Sequence, residues 1–312
     1  MYIILHKYKA YLILLIKLLI VFGAFYFMYQ KIITNSILTF EQLKHQFSIL
    51  FLNNGWLLIL LLLFTDANWL LEILKWKILA SIEKKITFFE AFEQSFASLT
   101  ASIITPNRIG EYGAKALFFK SEKRKNIMGL NLIGNLSQLA VTIFFGCIGI
   151  IYFLMNYSPK IPKINIQNSI ILVLFLFILI YFRKKLKLSK VKIFLNKISK
   201  KTYITVVILS ILRYLIFTHQ FYFLLELLGA DIDYFAALPL ILSMYFIASI
   251  LPSLTIFDWV IKGSVAIFLF GFVQVNALTI VTITTLMYVL NFAIPALFGS
   301  IFVLNFKPLT NS

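Results

Sequence analysis

Long apolar runs alternate along the chain with short polar stretches that are rich in lysine and arginine. Most of these runs approach or exceed the roughly 20 residues that a helix needs to cross a bilayer. A shorter run, at 168–182, carries no charged residue and is apolar after its first two residues. The predicted spans are residues 9–33, 56–79, 127–157, 168–182, 202–228 and 276–304. The pattern predicts an all-α polytopic membrane protein of about six full spans, forming a single transmembrane domain over residues 1–312.

Two further apolar stretches are interrupted by proline. The first, SLTASIITPNRIGEYGAKALFFK at 98–120, breaks at Thr105-Pro106, and lysines lie on both sides of the surrounding segment. Because basic residues mark the cytoplasmic side, both ends of this segment lie on one side of the membrane. The second stretch, ASILPSLTIFDWVIKGSVAIFLFG at 248–271, breaks at Pro252. Each stretch predicts a broken helix that enters the membrane and returns, as a re-entrant hairpin.

The two broken stretches share an order of residues. Both contain Ala-Ser-Ile, then a proline, then an acid four residues before a lysine. A span, a hairpin and a second span follow one another at about 56–157 and again at about 202–304. Each full span takes the chain to the other side of the membrane, so the second hairpin enters from the side opposite to the first. Inverted repeats with broken helices are typical of secondary transporters, whose substrate lies near the membrane midplane.

The formal net charge is +17, and 61% of the residues are hydrophobic. Such a charge is compatible with nucleic-acid binding, but the basic residues lie between the apolar runs, as the positive-inside rule requires. Residues 183–201 carry nine basic residues and no acid, which predicts a cytoplasmic loop on anionic lipid headgroups, with a ligand site as the alternative. We expect no nucleic-acid partner, a multi-pass protein of the cell (inner) membrane, and cytoplasmic N- and C-termini.

The cysteine and histidine residues do not indicate a metal or cofactor site. The chain has a single cysteine, Cys147, inside an apolar run, and its three histidines, His6, His45 and His219, are scattered. Neither residue type has the spacing of a metal site. We therefore expect no cofactor, no metal and no enzymatic activity.

The breaks suggest an anion site. Thr105 can cap the helix that follows, and Pro106 can occupy its first position, where a missing N–H costs nothing. After Pro252, Ser253 or Thr255 can cap in the same way. Each break then presents backbone N–H groups and the positive end of a helix dipole. Arg108 adds a guanidinium group suited to phosphate.

The other candidate substrate-binding residues are Gly110, Glu111, Lys115, Asp258, Lys262 and Asp66. Alternatives remain for each. The acid–lysine pairs are four apart and can simply neutralise each other, Asp258 can close a capping box, and the glycine can serve packing.

Charges in the second predicted span raise a separate question. Asp66 lies deep enough that it should face protein or water, for function or for structural pairing. For Glu72, Lys75 and Lys77 we favour solvation at the cytoplasmic boundary. Trp69 and Trp76 would then be interface anchors.

Four segments resemble the transmembrane region of the lysylphosphatidylglycerol synthase/flippase family. They are NWLLEILKWKIL, TPNRIGEYGAKALFF, VIKGSVAIFLFG after a Leu-Pro pair, and NFAIPALFGSIFVL. Arg108, Gly110 and Glu111 fall on the family's Pro-x-Arg-x-Gly-Glu-like stretch. The second motif departs, since Lys262 is followed by Gly263 and its acid lies upstream. The resemblance implies a flippase-like protein that handles lipids. The family's soluble aminoacyl-transferase domain has no counterpart here, so lipid aminoacylation is not expected.

Three functions stay open. The first is a translocator that binds an anionic phospholipid or a polyprenyl phosphate at the paired hairpins. The second is a membrane enzyme acting on a lipid phosphate, with Glu111 as general base and Arg108 binding the phosphate. The third is a non-catalytic membrane partner of a separately encoded enzyme. The sequence also leaves open a homo-oligomer.

Overall fold

The computed structural model describes residues 15, 48, 55–103, 105, 108–157, 194–251 and 258–307, without the side chain of Asp258. The regular elements in these ranges are helical. They are α1 Gly55–Ala80, α2 Phe88–Ser102, α3 Ile109–Leu117, α4 Ser121–Tyr157, α5 Lys200–Leu227, α6 Tyr234–Ile250, α7 Asp258–Gly271, α8 Ala277–Tyr288, the π-helical segment Val289–Ala293, and α9 Ile294–Asn305.

Four helical segments are long and apolar enough to cross a membrane: Trp56–Ala80, Ser121–Tyr157, Lys200–Leu227 and Ala277–Asn305. The last one is continuous through α8, the π-helical segment and α9. Their positions confirm four of the predicted spans and indicate a membrane-embedded protein. The predicted spans at 9–33 and 168–182 lie outside the described residues, as does most of the basic 183–201 loop.

Helices α2 and α3 form the first hairpin, and α6 and α7 form the second. The broken helices are therefore where the sequence predicts them. The first hairpin begins and ends beside the C-terminus of α1, because the α4 N-terminus that follows it contacts Glu83: Lys123 Nζ donates to the Glu83 carbonyl oxygen at 2.7 Å. The second hairpin begins and ends at the opposite end of the molecule, where Phe272 packs on Phe153 with ring centroids 5.2 Å apart.

A capping box fixes the start of the first hairpin. Glu90 N donates to Thr87 Oγ1 at 3.1 Å, and Thr87 N donates to Glu90 Oε2 at 2.6 Å. Two of the N–H groups that a helix start leaves without intrahelical partners are thereby satisfied. The hydrogen bond from the Thr87 backbone holds the pKa of the Glu90 carboxyl below its usual value.

Helices α1 and α5 pack side by side and run antiparallel. Near one end Gln220 Nε2 donates to the Leu61 carbonyl oxygen at 3.2 Å, and further along α1 the Arg213 guanidinium contacts Glu72 at 2.6 Å. As residue numbers rise along α1, the partner numbers on α5 fall. The two helices therefore point in opposite directions.

Each hairpin packs against the last span of the other half: α2 lies on α9, and α6 lies on α4. Small residues permit both contacts. At Gly299 an added Cβ would overlap the Phe96 backbone of α2, and at Gly146 it would overlap Phe246 of α6. Thr100 Oγ1 also donates to the Ala296 carbonyl oxygen at 2.7 Å across the α2–α9 contact.

Trp69 and Trp76 are buried rather than placed at the membrane interface as the sequence suggested. Trp76 Nε1 donates to Gln94 Oε1 at 2.8 Å, and Trp69 Nε1 donates to the Asn291 carbonyl oxygen at 3.2 Å. Both indoles face α2 and the last span, where protein acceptors replace water for their N–H groups. This face of α1 is part of the core.

Charge is segregated between the two ends of the described molecule. The end that carries the first hairpin's termini is rich in lysine, in segments 84–85, 120–125 and 197–201. The opposite end carries Glu226, Asp231 and Asp233 in the described ranges. The molecule thus has one basic and one acidic end.

Candidate functional site

An ion network of five residues lies between α1, α3 and α5: Glu72, Lys75, Glu111, Lys115 and Arg213. Glu72 is its hub, because its Oε2 lies 2.7 Å from Lys75 Nζ and 2.6 Å from Arg213 Nη1. Its Oε1 lies 4.0 Å from Lys115 Nζ. The Glu72 residue is 8% exposed and Lys75 is 2% exposed. Interface solvation, our expectation for these two residues, is wrong: α1 turns them toward the other helices.

Lys115 connects the network to the first hairpin. Its Nζ donates to Glu111 Oε1 at 2.7 Å and to Asn131 Oδ1 of α4 at 2.9 Å. The ammonium also lies 4.4 Å from the centroid of the Trp76 ring, a cation–π contact. The predicted pair at positions 111 and 115 is thus formed and buried, and it fixes α3 against α1 and α4.

Amide side chains extend the network toward the last span. Arg213 Nε donates to Asn68 Oδ1 at 2.8 Å, and Asn68 Nδ2 donates to Asn291 Oδ1 at 3.1 Å. Asn291 Nδ2 then donates to Gln220 Oε1 at 2.9 Å. Asn291 lies in the π-helical segment, four residues before Pro295, which has no N–H to donate to the Asn291 carbonyl oxygen. Trp69 makes that hydrogen bond instead.

A cavity of about 350 Å³ opens between the two hairpins and the spanning helices. Asn68, Arg213 and Asn291 line it, and each lies near the middle of its spanning helix. The hairpins contribute Arg108 from the first and Ser249, Trp259 and Lys262 from the second. The cavity therefore lies at mid-height, lined by residues from both hairpins.

Three basic side chains, Arg108, Arg213 and Lys262, line the cavity, and no described lining residue is acidic. Aromatic rings complete the wall. The Trp259 and Tyr288 ring centroids are 5.9 Å apart, and Tyr288 stacks on Phe292 at 5.1 Å. The basic side chains of the cavity wall suit an anionic group, and its aromatic rings suit an apolar part of the same ligand.

Among the described residues of the first hairpin, Arg108 lines the cavity. It is half-buried, its guanidinium carbon lies 5.3 Å from the Phe292 ring centroid, and no described carboxylate lies within 4 Å of it. Its φ of 57° is left-handed, a conformation that costs a non-glycine residue about 1 kcal/mol or more. A strained arginine at a helix break, without an ion-pair partner in the described structure, is consistent with a binding role.

The start of α3 differs from the prediction. The helix begins at Ile109, with Arg108 as its N-terminal flanking residue, so the first helical position is not residue 106. Gly110 N donates to Thr105 Oγ1 at 2.9 Å, and Glu111 N donates to the Arg108 carbonyl oxygen at 3.0 Å. Arg108, not Thr105, is therefore the N-cap residue; Thr105 Oγ1 only accepts from one N–H of the first turn, and both of these N–H groups are already used. The side chain of Arg108, rather than the helix terminus, supplies positive charge to the cavity.

The structure sorts the predicted site residues into groups. Arg108 and Lys262 line the cavity, whereas Glu111 and Lys115 lie behind it in the ion network. An added Cβ at Gly110 would lie 2.8 Å from the Ala101 carbonyl oxygen, which gives this glycine a packing role.

Asp66 does not join the site. Its side chain is exposed on α1, on a different face from Asn68 and Glu72, and it does not line the cavity. The Asp258 side chain, with Pro106, Pro252, Ser253 and Thr255, lies outside the described residues.

Sequence reasoning missed Glu72, Arg213, Asn68 and Asn291 as site residues. The signal was present for two of them, since a charge inside a spanning segment is expected to serve a function. Nothing in a single sequence shows which helix face meets another helix, so a boundary position and a buried position look alike.

Comparison with family models, with curated proteins and with solved structures gave no match for this chain. Within the described ranges, His, Cys, Asp and Glu side chains form no group of three or more that could hold a metal ion. The site is therefore interpreted from its own geometry.

Proposed function

We propose that this protein is a flippase-like translocator, which binds an anionic lipid or lipid-linked phosphate headgroup in the central cavity and carries it across the membrane. The observation that carries the proposal is the cavity wall at mid-height: three basic side chains and, among the described residues, no acid. Arg108 has no carboxylate within 4 Å among the described residues, and a charge of this kind inside a membrane protein is costly. A bound anion offsets that cost.

Apolar neighbours of the cavity favour a lipid over a small soluble anion. Ile109 follows the cavity-lining Arg108 and is exposed, and Ile250 and Leu251 follow the cavity-lining Ser249 and are exposed as well. A headgroup bound among the basic residues can thus leave its chains against apolar side chains. The aromatic wall serves the same amphipathic ligand.

An inverted repeat supplies the mechanism. Two observations support it: α1 and α5 are antiparallel, and the two hairpins pack reciprocally on α9 and α4. Under the exchange of α1 with α5, α2 with α6, α3 with α7, and α4 with α8–α9, each principal helix contact has a counterpart. In such proteins one repeat rocks against the other around a fixed central site. The hairpin breaks then expose the cavity to each side in turn.

The segregation of charge supports an orientation. The basic end faces the cytoplasm by the positive-inside rule, so the chain after α9, with Lys307, lies inside. We place the protein in the cell (inner) membrane with both termini cytoplasmic. The basic 183–201 loop then lies against anionic headgroups. The resemblance to the lysylphosphatidylglycerol synthase/flippase family points to the same class of function.

The enzyme hypothesis needs Glu111 as a general base beside the substrate. Glu111 instead accepts a hydrogen bond from Lys115 and does not line the cavity. A paired carboxylate behind the wall is poorly placed to take a proton from a bound phosphate ester. This geometry favours translocation.

The test is lipid translocation in proteoliposomes. Purified protein is reconstituted with a fluorescent phosphatidylglycerol or a fluorescent phosphatidylcholine, and movement between leaflets is followed by quenching from outside. We expect movement of the anionic lipid, lost in Arg108→Ala. Arg124→Ala is the matched control, because Arg124 lies at the basic end of α4 and does not line the cavity.

Equal movement of both lipids in wild type and Arg108→Ala would contradict the proposed site. If well-folded wild type moves neither lipid, the translocator proposal is wrong for phosphodiester lipids. The same assay with phosphatidic acid or a polyprenyl phosphate, both phosphomonoesters, then separates a translocator of another lipid from a non-catalytic partner.

A further inference from the structure

We propose that the headgroup bound in the cavity carries at least two negative charges, as a phosphomonoester or a diphosphate does, rather than the single charge of a phosphodiester. This inference rests on the proposed function and specifies its substrate class. It follows from the charges on and behind the cavity wall.

The ion network largely neutralises itself. Glu111 pairs with Lys115 at 2.7 Å, and Glu72 pairs with Lys75 at 2.7 Å. Two carboxylates are thus matched by two ammonium groups. Arg213 shares the Glu72 oxygen that Lys75 already contacts, and so it is a cation in excess of the carboxylates.

Arg108 is a second cation in excess. The nearest acid on its own helix, Glu111, is committed to Lys115 and lies beyond 4 Å from the guanidinium. Lys262 also faces the cavity and adds to its positive potential. The two excess positive charges are those of Arg213 and Arg108, and Lys262 is not included among them.

Both arginines have donors to offer. Arg213 uses Nε on Asn68 and Nη1 on Glu72, which leaves its Nη2 without a hydrogen-bond partner among the described residues. The Arg108 guanidinium contacts the Phe292 ring rather than an acceptor. Guanidinium forks match the oxygens of phosphate, and hydrogen bonds between charged groups are about twice as strong as neutral ones.

A phosphodiester carries a single negative charge, so it would neutralise only one of the two arginines, Arg108 and Arg213. A phosphomonoester carries about −1.5 to −2 charge at pH 7, since its second pKa is about 6, and a diphosphate carries at least as much. Either one matches both arginines. Because positive charge in excess of the carboxylates is costly inside a membrane protein, the site should prefer the dianion.

The experiment measures binding by titration calorimetry with the full chain in neutral detergent. Its three probes are short-chain phosphatidic acid, short-chain phosphatidylglycerol and inorganic phosphate, each at about pH 5 and about pH 7.5. At the higher pH we expect phosphatidic acid to bind about tenfold tighter than phosphatidylglycerol, the equivalent of one additional charged hydrogen bond.

The pH dependence separates the ligand's charge from the protein's. One unit below the ligand's second pKa about a tenth of the monoester is dianionic, so its affinity should fall about tenfold at the lower pH. The ionisable residues that line the cavity are Arg108 from the first hairpin, Arg213 from α5, Lys262 from α7, and Tyr245 and Tyr288, with Glu72 and Glu111 behind them. Phosphatidylglycerol, which does not titrate in this range, reports any change in these groups.

The variant Arg108→Gln tests directly whether two excess positive charges set the preference for the dianion. Removing one of the two excess charges should reduce the preference for the monoester from about tenfold to about one, as expected for the loss of one charged hydrogen bond. Arg124→Gln should keep the preference. Size-exclusion and thermal melts of each variant show that it is folded.

The outcomes are distinct. Equal affinity for phosphatidic acid and phosphatidylglycerol at both pH values overturns the inference, even if wild type moves phosphatidylglycerol in vesicles and the proposed function stands. Preferential binding of phosphatidic acid without its movement supports the inference and contradicts translocation. Inorganic phosphate that binds as tightly as phosphatidic acid supports the dianion but overturns a lipid as its source.

Discussion

At the scale of single residues, the site depends on how buried charges are shared. Glu72 binds Lys75 and Arg213 through one carboxylate oxygen, so it holds one residue of the ion network and one residue of the cavity wall. Loss of a partner in a buried ion pair leaves a charge without compensation. Glu72 therefore serves the stability of the fold as much as the placement of Arg213.

Glu72→Gln should destabilise the protein by about 3–5 kcal/mol, because Lys75 and Arg213 lose the carboxylate between them. Asp66→Asn on the same helix should change stability by no more than about 0.5 kcal/mol, since Asp66 is exposed. Thermal unfolding of both variants in detergent makes the comparison. Equal unfolding temperatures for Glu72→Gln and wild type would show that the ion network does not stabilise the fold.

The backbone of Arg108 gives a second prediction at this scale. Glycine adopts a φ of 57° without strain, whereas alanine does not. Arg108→Gly should therefore be more stable than Arg108→Ala by about 1 kcal/mol, while both lose anion binding. Thermal melts measure the stability difference. If alanine proves the more stable variant, the left-handed conformation at the break is wrong.

At the scale of elements, the last span shows how one proline shapes the site. Pro295 cannot donate to the Asn291 carbonyl oxygen, and the helix widens to a π-helical segment just before it. The wider turn places Asn291 against Asn68 and Gln220. Trp69 Nε1 donates instead to the Asn291 carbonyl oxygen, and this hydrogen bond connects α1 to the last span.

Trp69→Phe keeps the ring and removes this donor. It should cost about 1–3 kcal/mol, the penalty for a buried acceptor left without a partner. Trp56→Phe is the control, because Trp56 is exposed near the start of the same helix and its loss should be close to neutral. Equal unfolding temperatures for the two variants would contradict the role given to Trp69.

Helix boundaries were the most predictable feature at this scale. The apolar runs gave the four described spans, and prolines with flanking polar residues gave both hairpin breaks. Local sequence controls these features, since hydrophobic length and the missing proline N–H act within a few residues. The start of α3 at Ile109 was not predictable, because a left-handed arginine is held by its surroundings rather than by its own preference.

At the scale of the whole molecule, two hairpins from opposite ends meet at one cavity. α2 lies on α9 and α6 lies on α4, so each hairpin is coupled by contact to a spanning helix distant in the chain. In the proposed mechanism this coupling makes the cavity open to one side only at a time.

Cysteine accessibility tests this arrangement. In a Cys147→Ser background, cysteines at Lys85 and Lys120 flank the first hairpin, and cysteines at Asp231 and Gln274 flank the second. The first pair should react with a membrane-impermeant thiol reagent from the cytoplasmic side only, and the second pair from the outer side only. Labelling of the two members of a pair from opposite sides would show that the hairpin is a full crossing instead.

The sequence by itself determined the membrane class, the positions of the described spans, the two breaks, and Arg108 and Lys262 as basic residues beside them. These features depend on hydrophobic length, on proline and on charges that membranes exclude. Only the tertiary structure decided that Glu72 and Arg213 face inward, that Glu111 and Lys115 stand behind the wall, and that Asp66 is exposed. The reason is geometric: the role of a charge inside a helix depends on which face meets a neighbour, and residues far apart in the chain supply that neighbour.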